Sequence, residues 1–193
     1  PLRVPQRNVK YNNVGIGGDT AAGGLERLER DVFQNKVTVL TVAFGINDIG
    51  WGMHADDEHR NRFLKSIGEI VDACREKGIR VYICSAAITG SDPADGEDSY
   101  LQKMCDEAME IAQQRGGYAI DVQRMMREVQ TKAWEANADK SETEKKQLLH
   151  HPDTIHLNEV GQLAMAWAIL KGLGAPARVS SVTSDARRSE GVV

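Results

Sequence analysis

Val37 to Phe44 reads VTVLTVAF, an almost unbroken run of apolar and β-branched residues. Such a run suits a strand of a parallel sheet that is covered on both faces. It constrains the fold more than any other segment, because the covering helices must alternate with further strands along the chain. Ile79 to Ser85 (IRVYICS) and Tyr118 to Val122 (YAIDV) read as two such strands, and Asn8 to Val14 as a weaker one ahead of them. Between the strands, apolar residues recur at three- and four-residue spacing: Leu25, Leu28 and Val32; Phe63, Ile67, Ile70, Val71 and Cys74; Leu101, Met104, Cys105, Ala108 and Ile111. That period predicts amphipathic helices whose stripes face the core. Gly78, Gly116 and Gly117 stand where helices should stop and strands begin.

The stretch from Arg124 to Leu149 is helical in pattern but rich in Lys and Glu, and reads as a solvated cap over a sheet edge with no chemistry of its own. A last helix is predicted from about Glu159 to Leu173, with Val160, Leu163, Ala164, Trp167 and Leu170 turned inward. The fold class is α/β: three layers, α/β/α, around a flavodoxin-like, mostly parallel sheet, in one domain over residues 1–174. From Ala175 onward the periodicity ends, and residues 175–193 are expected to form a disordered tail.

With 193 residues and a formal net charge of −4, the chain can bury one substantial core and has no electrostatic reason to bind nucleic acid or anionic lipid. No apolar stretch approaches the roughly 20 residues of a bilayer span. Cys74, Cys84 and Cys105 lack metal-type spacing and lie on buried patterns, so they read as packed thiols.

Functional groups of an open parallel sheet gather beyond the carboxyl ends of its strands. Three segments stand there. The first, Gly15-Ile16-Gly17-Gly18-Asp19-Thr20, opens a helix. Its glycines allow a tight turn with exposed N–H groups, and either a plain turn or an anion nest satisfies the pattern, with Asp19 or Thr20 as the cap. A nucleotide-binding use of this nest is a weaker reading, and no Gly-Lys-Ser or Gly-Lys-Thr follows to make a P-loop. The second, Gly45-Ile46-Asn47-Asp48-Ile49-Gly50-Trp51-Gly52, follows the strongest strand. Asn47 and Asp48 are either turn formers or polar groups aimed at a ligand, the Asn47 amide pairing with the Gly18 N–H as two neutral donors for one oxygen. Trp51 is either packed or flanks an acyl or sugar pocket.

The third segment runs from His150 to Asn158 (HHPDTIHLN). Three histidines and an aspartate invite a metal reading, but Pro152 breaks any helix that would align them and no Glu or Cys completes a set, so no metal site is assigned. Asp153 and His156 can instead form an acid–base pair, the carboxylate bonding one ring nitrogen and leaving the other to take a proton. An ordinary loop histidine beside a capping aspartate satisfies the spacing equally well.

In this order, VGIGGDT, FGIND and DTIHLN resemble the second, third and fifth blocks of the SGNH or GDSL superfamily of esterases and lipases, over about Asn13 to Leu173. The resemblance implies that Gly18 supplies a backbone oxyanion donor, Asn47 a side-chain donor, and Asp153 and His156 the acid and base of a triad. Asp48 and Trp51 would then border the substrate. The implied activity is cleavage of small acyl or acetyl esters, acylated carbohydrate among them, through an acyl-enzyme and without metal or organic cofactor. The superfamily's first block, a strand ending in Gly-Asp-Ser, lies well upstream of the second, whereas here only 14 residues precede Gly15 and none is serine. The expectation is therefore a chain lacking the first strand and the nucleophile, inactive alone, and secreted or periplasmic if a signal peptide lies upstream. The competing expectation is a non-catalytic binding module for a small or carbohydrate ligand that keeps the same pocket. Ser85, at a strand end but followed by Ala86 and Ala87, encodes no sharp nucleophile turn.

Overall fold

Three of the predicted strands form: β1 (Val39–Ala43), β2 (Arg80–Cys84) and β3 (Tyr118–Ile120), all parallel and hydrogen-bonded in that order. The structure is a computed structural model that describes residues 10–90, 92–95 and 99–175. Seven α-helices accompany the strands among these residues: α1 (Ala21–Glu26), α2 (Leu28–Asp31), α3 (Asp57–Glu76), α4 (Tyr100–Gln114), α5 (Val122–Ala136), α6 (Glu142–Lys146) and α7 (Glu159–Gly172). The expected tail from residue 176 and the expected strand residues Asn8 and Val9 lie outside the described part.

The strands' period of two sorts side chains into two cores. Val42, Val81 and Ile83 face one core with Leu28, Phe63, Ile67, Ile70, Val71, Leu101 and Met104 from α2, α3 and α4. Tyr82, Cys84 and Ile120 face the other with Val122 and Met126 from α5 and Ala164 and Ala168 from α7. The stripes expected on α3 and α4 are therefore the ones buried, apart from Ile111, which is half-buried, and the three-layer α/β/α arrangement is the observed one. Cys74, Cys84 and Cys105 are free and buried. Burial pushes the Cys84 thiol up to about 12 and the Cys74 thiol to about 11, which leaves both without thiolate character.

Four expectations change. Lys10–Val14 is not a strand but exposed chain, because a strand requires a ladder partner and no strand lies beside it among the described residues. The β1 run is not covered on both faces: Val42 is buried, but Val39, Thr41 and Ala43 on the opposite face are exposed. On α7 the inward face is Gly161, Ala164 and Ala168, while Val160, Leu163, Trp167 and Leu170 point outward, Leu163 at 71% exposure. A helix apolar all round does not reveal its inner face by pattern, and here close approach decides: a Cβ on Gly161 would collide with the Leu149 carbonyl, and one on Gly172 with Ile120. Finally, the supposed solvated cap begins within α5, whose buried face includes Met126, Arg127 and Gln130; α6 itself holds no buried residue.

Candidate active site

The chain leaves β1 through Phe44 into a compact loop whose own backbone closes it, Trp51 N–H donating to the Ile46 carbonyl at 2.9 Å and His54 N–H to the Ile49 carbonyl at 3.0 Å. Two side chains bind this loop to the start of α1. Asn47 Nδ2 donates to the Asp19 carbonyl at 3.1 Å, and Asp48 Oδ1 accepts from the Ala21 N–H at 3.0 Å. Asp48 is buried, and its second carboxylate oxygen has no hydrogen-bond partner among the described residues. Desolvation raises its pKa above the usual carboxylate range, against the opposing hydrogen bond from Ala21. Its carboxylate is thus turned into the protein, under the rim instead of on it.

Gly18 stands exposed at φ +80°, a left-handed conformation that favours glycine, in the turn closed by Asp19 N–H on the Ile16 carbonyl. Thr20, not Asp19, caps α1, its hydroxyl accepting from the Gly23 N–H at 3.3 Å. Asp19 is held by Arg27, whose Nε donates to it at 2.8 Å and whose Nη1 donates to the Val14 carbonyl at 2.6 Å and to Asp31 at 2.8 Å.

Asp153 organises the other side. Its Oδ1 accepts from the N–H groups of Ile155 and His156 at 2.9 Å each, and its Oδ2 bonds His156 Nδ1 at 2.8 Å. Those two backbone donors, together with the imidazole, hold its carboxyl well below the usual range, so it is ionised whenever His156 could act. With Nδ1 engaged, the Nε2 lone pair of neutral His156 is the one left to accept a proton. Thr154, at φ +61°, forms the tight turn between them.

Trp51 joins the two sides. Its indole N–H donates to Asn47 Oδ1 at 3.1 Å, and its ring meets the His156 ring edge to face with centroids 5.4 Å apart. Trp51 is half exposed and sits at φ +59°, a conformation costly for a bulky residue and retained where surrounding contacts over-determine it. Asn47, Trp51, His156 and Asp153 therefore lie on one rim, and Gly18 belongs to the turn whose next residue Asn47 binds. The Asn47 amide spends one hydrogen on Asp19 and keeps a second.

A cavity of about 290 Å³ takes Asn47 of this rim into its lining, whereas Trp51, Asp153 and His156 are not among its lining residues. Leu40 to Phe44, Val14 to Ile16, Asp19 and Met165 of α7 also line it. Its lining also includes Leu28, Val32 and Ile70, which pack with the buried face of β1. The serines Ser66, Ser85, Ser99 and Ser141 are all engaged elsewhere: Ser66 with the Arg62 carbonyl, Ser85 with Asp121 and the Gln123 N–H, Ser99 and Ser141 as helix caps. Ser85 is also buried.

The histidines of the third segment do not converge. His150 is buried with Nε2 on the Ile88 carbonyl at 3.1 Å, and burial lowers its pKa, while His156 is turned to Asp153. The group that sequence reasoning missed is His54, Asp56 and His59, whose potential ligand atoms lie within 4.8 Å of one another. Its two imidazoles stack at 4.8 Å and 15°, so their in-plane lone pairs run side by side and do not meet at one point.

The model of the GDSL-like lipase/acylhydrolase family matches residues 2–164. No curated protein matches the chain. Among solved structures, it is similar to a gut microbial diltiazem-metabolizing enzyme, at 23% identity and TM-score 0.65, covering 84% of this chain and 38% of that one. It is also similar to an acetyl xylan esterase, at 21% identity and TM-score 0.64, covering 81% of this chain and 79% of that one. A third is an acetyl xylan esterase from Geobacillus stearothermophilus, at 17% identity and TM-score 0.63, covering 87% of this chain and 74% of that one. The chain thus spans well under half the length of the first of these and about three quarters of the other two.

Proposed function

Because the chain belongs to the GDSL-like lipase/acylhydrolase family, we propose that it carries the oxyanion and acid–base groups of a serine esterase, and that the serine enters on a strand seated in the slot beside β1. The observation that carries this reading is the contact chain Asn47–Trp51–His156–Asp153, which gathers an amide donor and a carboxylate-backed imidazole on one rim although the sequence separates them widely. The slot adds support. It is lined by β1 residues and by Val14 to Ile16, and a strand paired to the β1 edge that β2 does not take would extend the parallel ladder.

In the completed site the serine hydroxyl gives its proton to His156 Nε2 as its oxygen attacks the ester carbonyl. The resulting oxyanion accepts from the second Asn47 hydrogen and the Gly18 N–H. Collapse of the tetrahedral species expels the alcohol, which takes the proton from His156 and leaves an acyl-serine. Water then attacks that acyl group, again losing its proton to His156; the bond to the serine oxygen breaks, that oxygen takes the proton back from His156, and the acid departs. Asp153 keeps Nδ1 protonated and steadies the imidazolium. Asp48 takes a positioning role, holding the Asn47 loop to α1. The acetyl xylan esterases among the similar structures favour small acyl groups on carbohydrate as substrates, with Trp51 as the exposed apolar surface beside them.

Hydrolysis of p-nitrophenyl acetate by this chain and by the complete gene product tests the proposal. Turnover is expected only in the latter, since loss of a nucleophile costs about 10⁶ in kcat. Robust turnover by this chain alone, or an upstream sequence without a serine-bearing strand, would overturn it. The second outcome would favour the non-catalytic binding module, which the engagement of every described serine away from His156 also fits.

A further inference from the structure

After β2 the chain leaves the sheet, and its next carbonyls lose their ladder partners. Four in succession are instead taken by side chains. Gln123 Nε2 donates to the Ala87 carbonyl at 3.3 Å, His150 Nε2 bonds the Ile88 carbonyl at 3.1 Å, Arg127 Nη2 donates to the Thr89 carbonyl at 2.7 Å, and Gln130 Nε2 donates to the Gly90 carbonyl at 3.2 Å. Gln123, Arg127 and Gln130 are spaced four and three residues apart, which places them on one face of α5. All three are buried, and Arg127 Nη1 also donates to Gln130 Oε1 at 2.9 Å, tying two of the donors together. A guanidinium at 8% exposure that spends its donors on backbone carbonyls is expensive unless the segment it holds must be held.

That segment touches the acid–base turn. The Gly90 N–H donates to the Thr154 carbonyl at 3.0 Å, and Thr154 N–H donates to the His151 carbonyl at 3.0 Å, inside the turn whose ends are Asp153 and His156. Thr154 holds a left-handed φ of +61° that costs energy wherever it is not over-determined.

We infer that Arg127, backed by Gln130, is a positioning residue for His156: the two hold the Thr89 and Gly90 carbonyls, and that segment holds the Thr154 turn in the geometry that pairs Asp153 with His156 Nδ1. The inference rests on the reading of His156 as the base. The α5 face acts on the site only through the backbone it holds.

The test uses the chain as it stands, in variants Arg127→Met and Gln130→Leu, with Ile70→Val on α3 as a control adjusted by temperature to the same distance below its melting point. Two signals are read: hydrogen exchange at the Gly90 amide, and the tautomer of neutral His156 from its imidazole ¹⁵N shifts. In the wild type His156 should carry its proton on Nδ1. Arg127→Met should speed Gly90 exchange about tenfold relative to the control and move His156 toward the Nε2–H tautomer. Gln130→Leu should do the same to a smaller extent, and serves if Arg127→Met does not fold. Unchanged signals in a folded variant, or changes equal to those of Ile70→Val, would overturn the inference. Asp153→Asn tests the underlying reading separately: if it leaves the His156 tautomer unaltered, the acid–base pair itself is at fault, whatever Arg127 does.

Discussion

β1 and β2 are neighbouring strands of five residues, both apolar and β-branched, yet they live differently. β2 is paired along both edges and packed on both faces, and the segment that follows it is bonded carbonyl by carbonyl to α5 and His150. β1 is paired on one edge, open on one face, and bordered by a cavity. The half of the rim that carries His156 is therefore locked from beneath, whereas the half that carries Asn47 stands beside an empty slot. The Asp153–His156 pair thus forms in this chain with no contribution from the open side of β1. An open strand edge with an apolar wall is a surface that takes another strand.

Mutations can sharpen or break that contrast. The largest effect is expected at the open end, in the complete enzyme: Asn47→Ala should lower kcat for a p-nitrophenyl ester by 10² to 10³, about 2.7–4 kcal/mol of barrier, as loss of one oxyanion donor does. A loss of less than twofold would remove Asn47 from the site. Next come the two strands themselves. Ile83→Ala in β2 should cost about 2–5 kcal/mol in urea unfolding of this chain, because it empties a fully buried site, whereas Val39→Ala in β1 should stay within about 0.5 kcal/mol. Equal costs would mean that β1 is as well covered as β2.

The smallest effects concern pH and report on the two buried polar residues flanking the rim. Burial lowers the His150 pKa below its ordinary 6.5, so the folded chain binds fewer protons than the unfolded one just below that value. Stability from this group is full above about pH 6.5 and is lost as pH falls through the lowered pKa. Asp48 has the opposite sign. Its raised pKa means that its contribution is full below about 3.8 and is lost as pH rises through the folded value, so its buried charge costs stability at neutral pH. Asp48→Asn keeps the oxygen that accepts from Ala21 and should raise the melting temperature at pH 7 by about 2–4 °C, the equivalent of roughly 1 kcal/mol. Thermal melts from pH 4 to 8 check both; a flat profile in the wild type would count against both directions.

Much of this molecule is legible in the sequence. The VTVLTVAF and IRVYICS runs, the stripes of α3 and α4, and the buried thiols follow from periodicity alone, since a period of two or of 3.6 maps directly onto which side of an element is wet. The rim residues were found through short motifs at strand ends, where polar groups have no core to satisfy them. Less visible was α5. Its Arg127 and Gln130 read as solvated because a guanidinium and an amide usually are; only the carbonyls they meet reveal them as interior, and those belong to a segment 38 to 40 residues away in sequence.

Local spacing and residue chemistry are enough to specify the alternation of strands and helices and the identity of the groups at the strand ends. Tertiary structure alone decided which face of α7 packs, that the Asn47 loop and the His156 turn meet across Trp51, and that one side of β1 stays bare. Those are outcomes of close approach between distant segments, where a glycine beside a carbonyl or an indole between two loops settles what no pattern along the chain encodes.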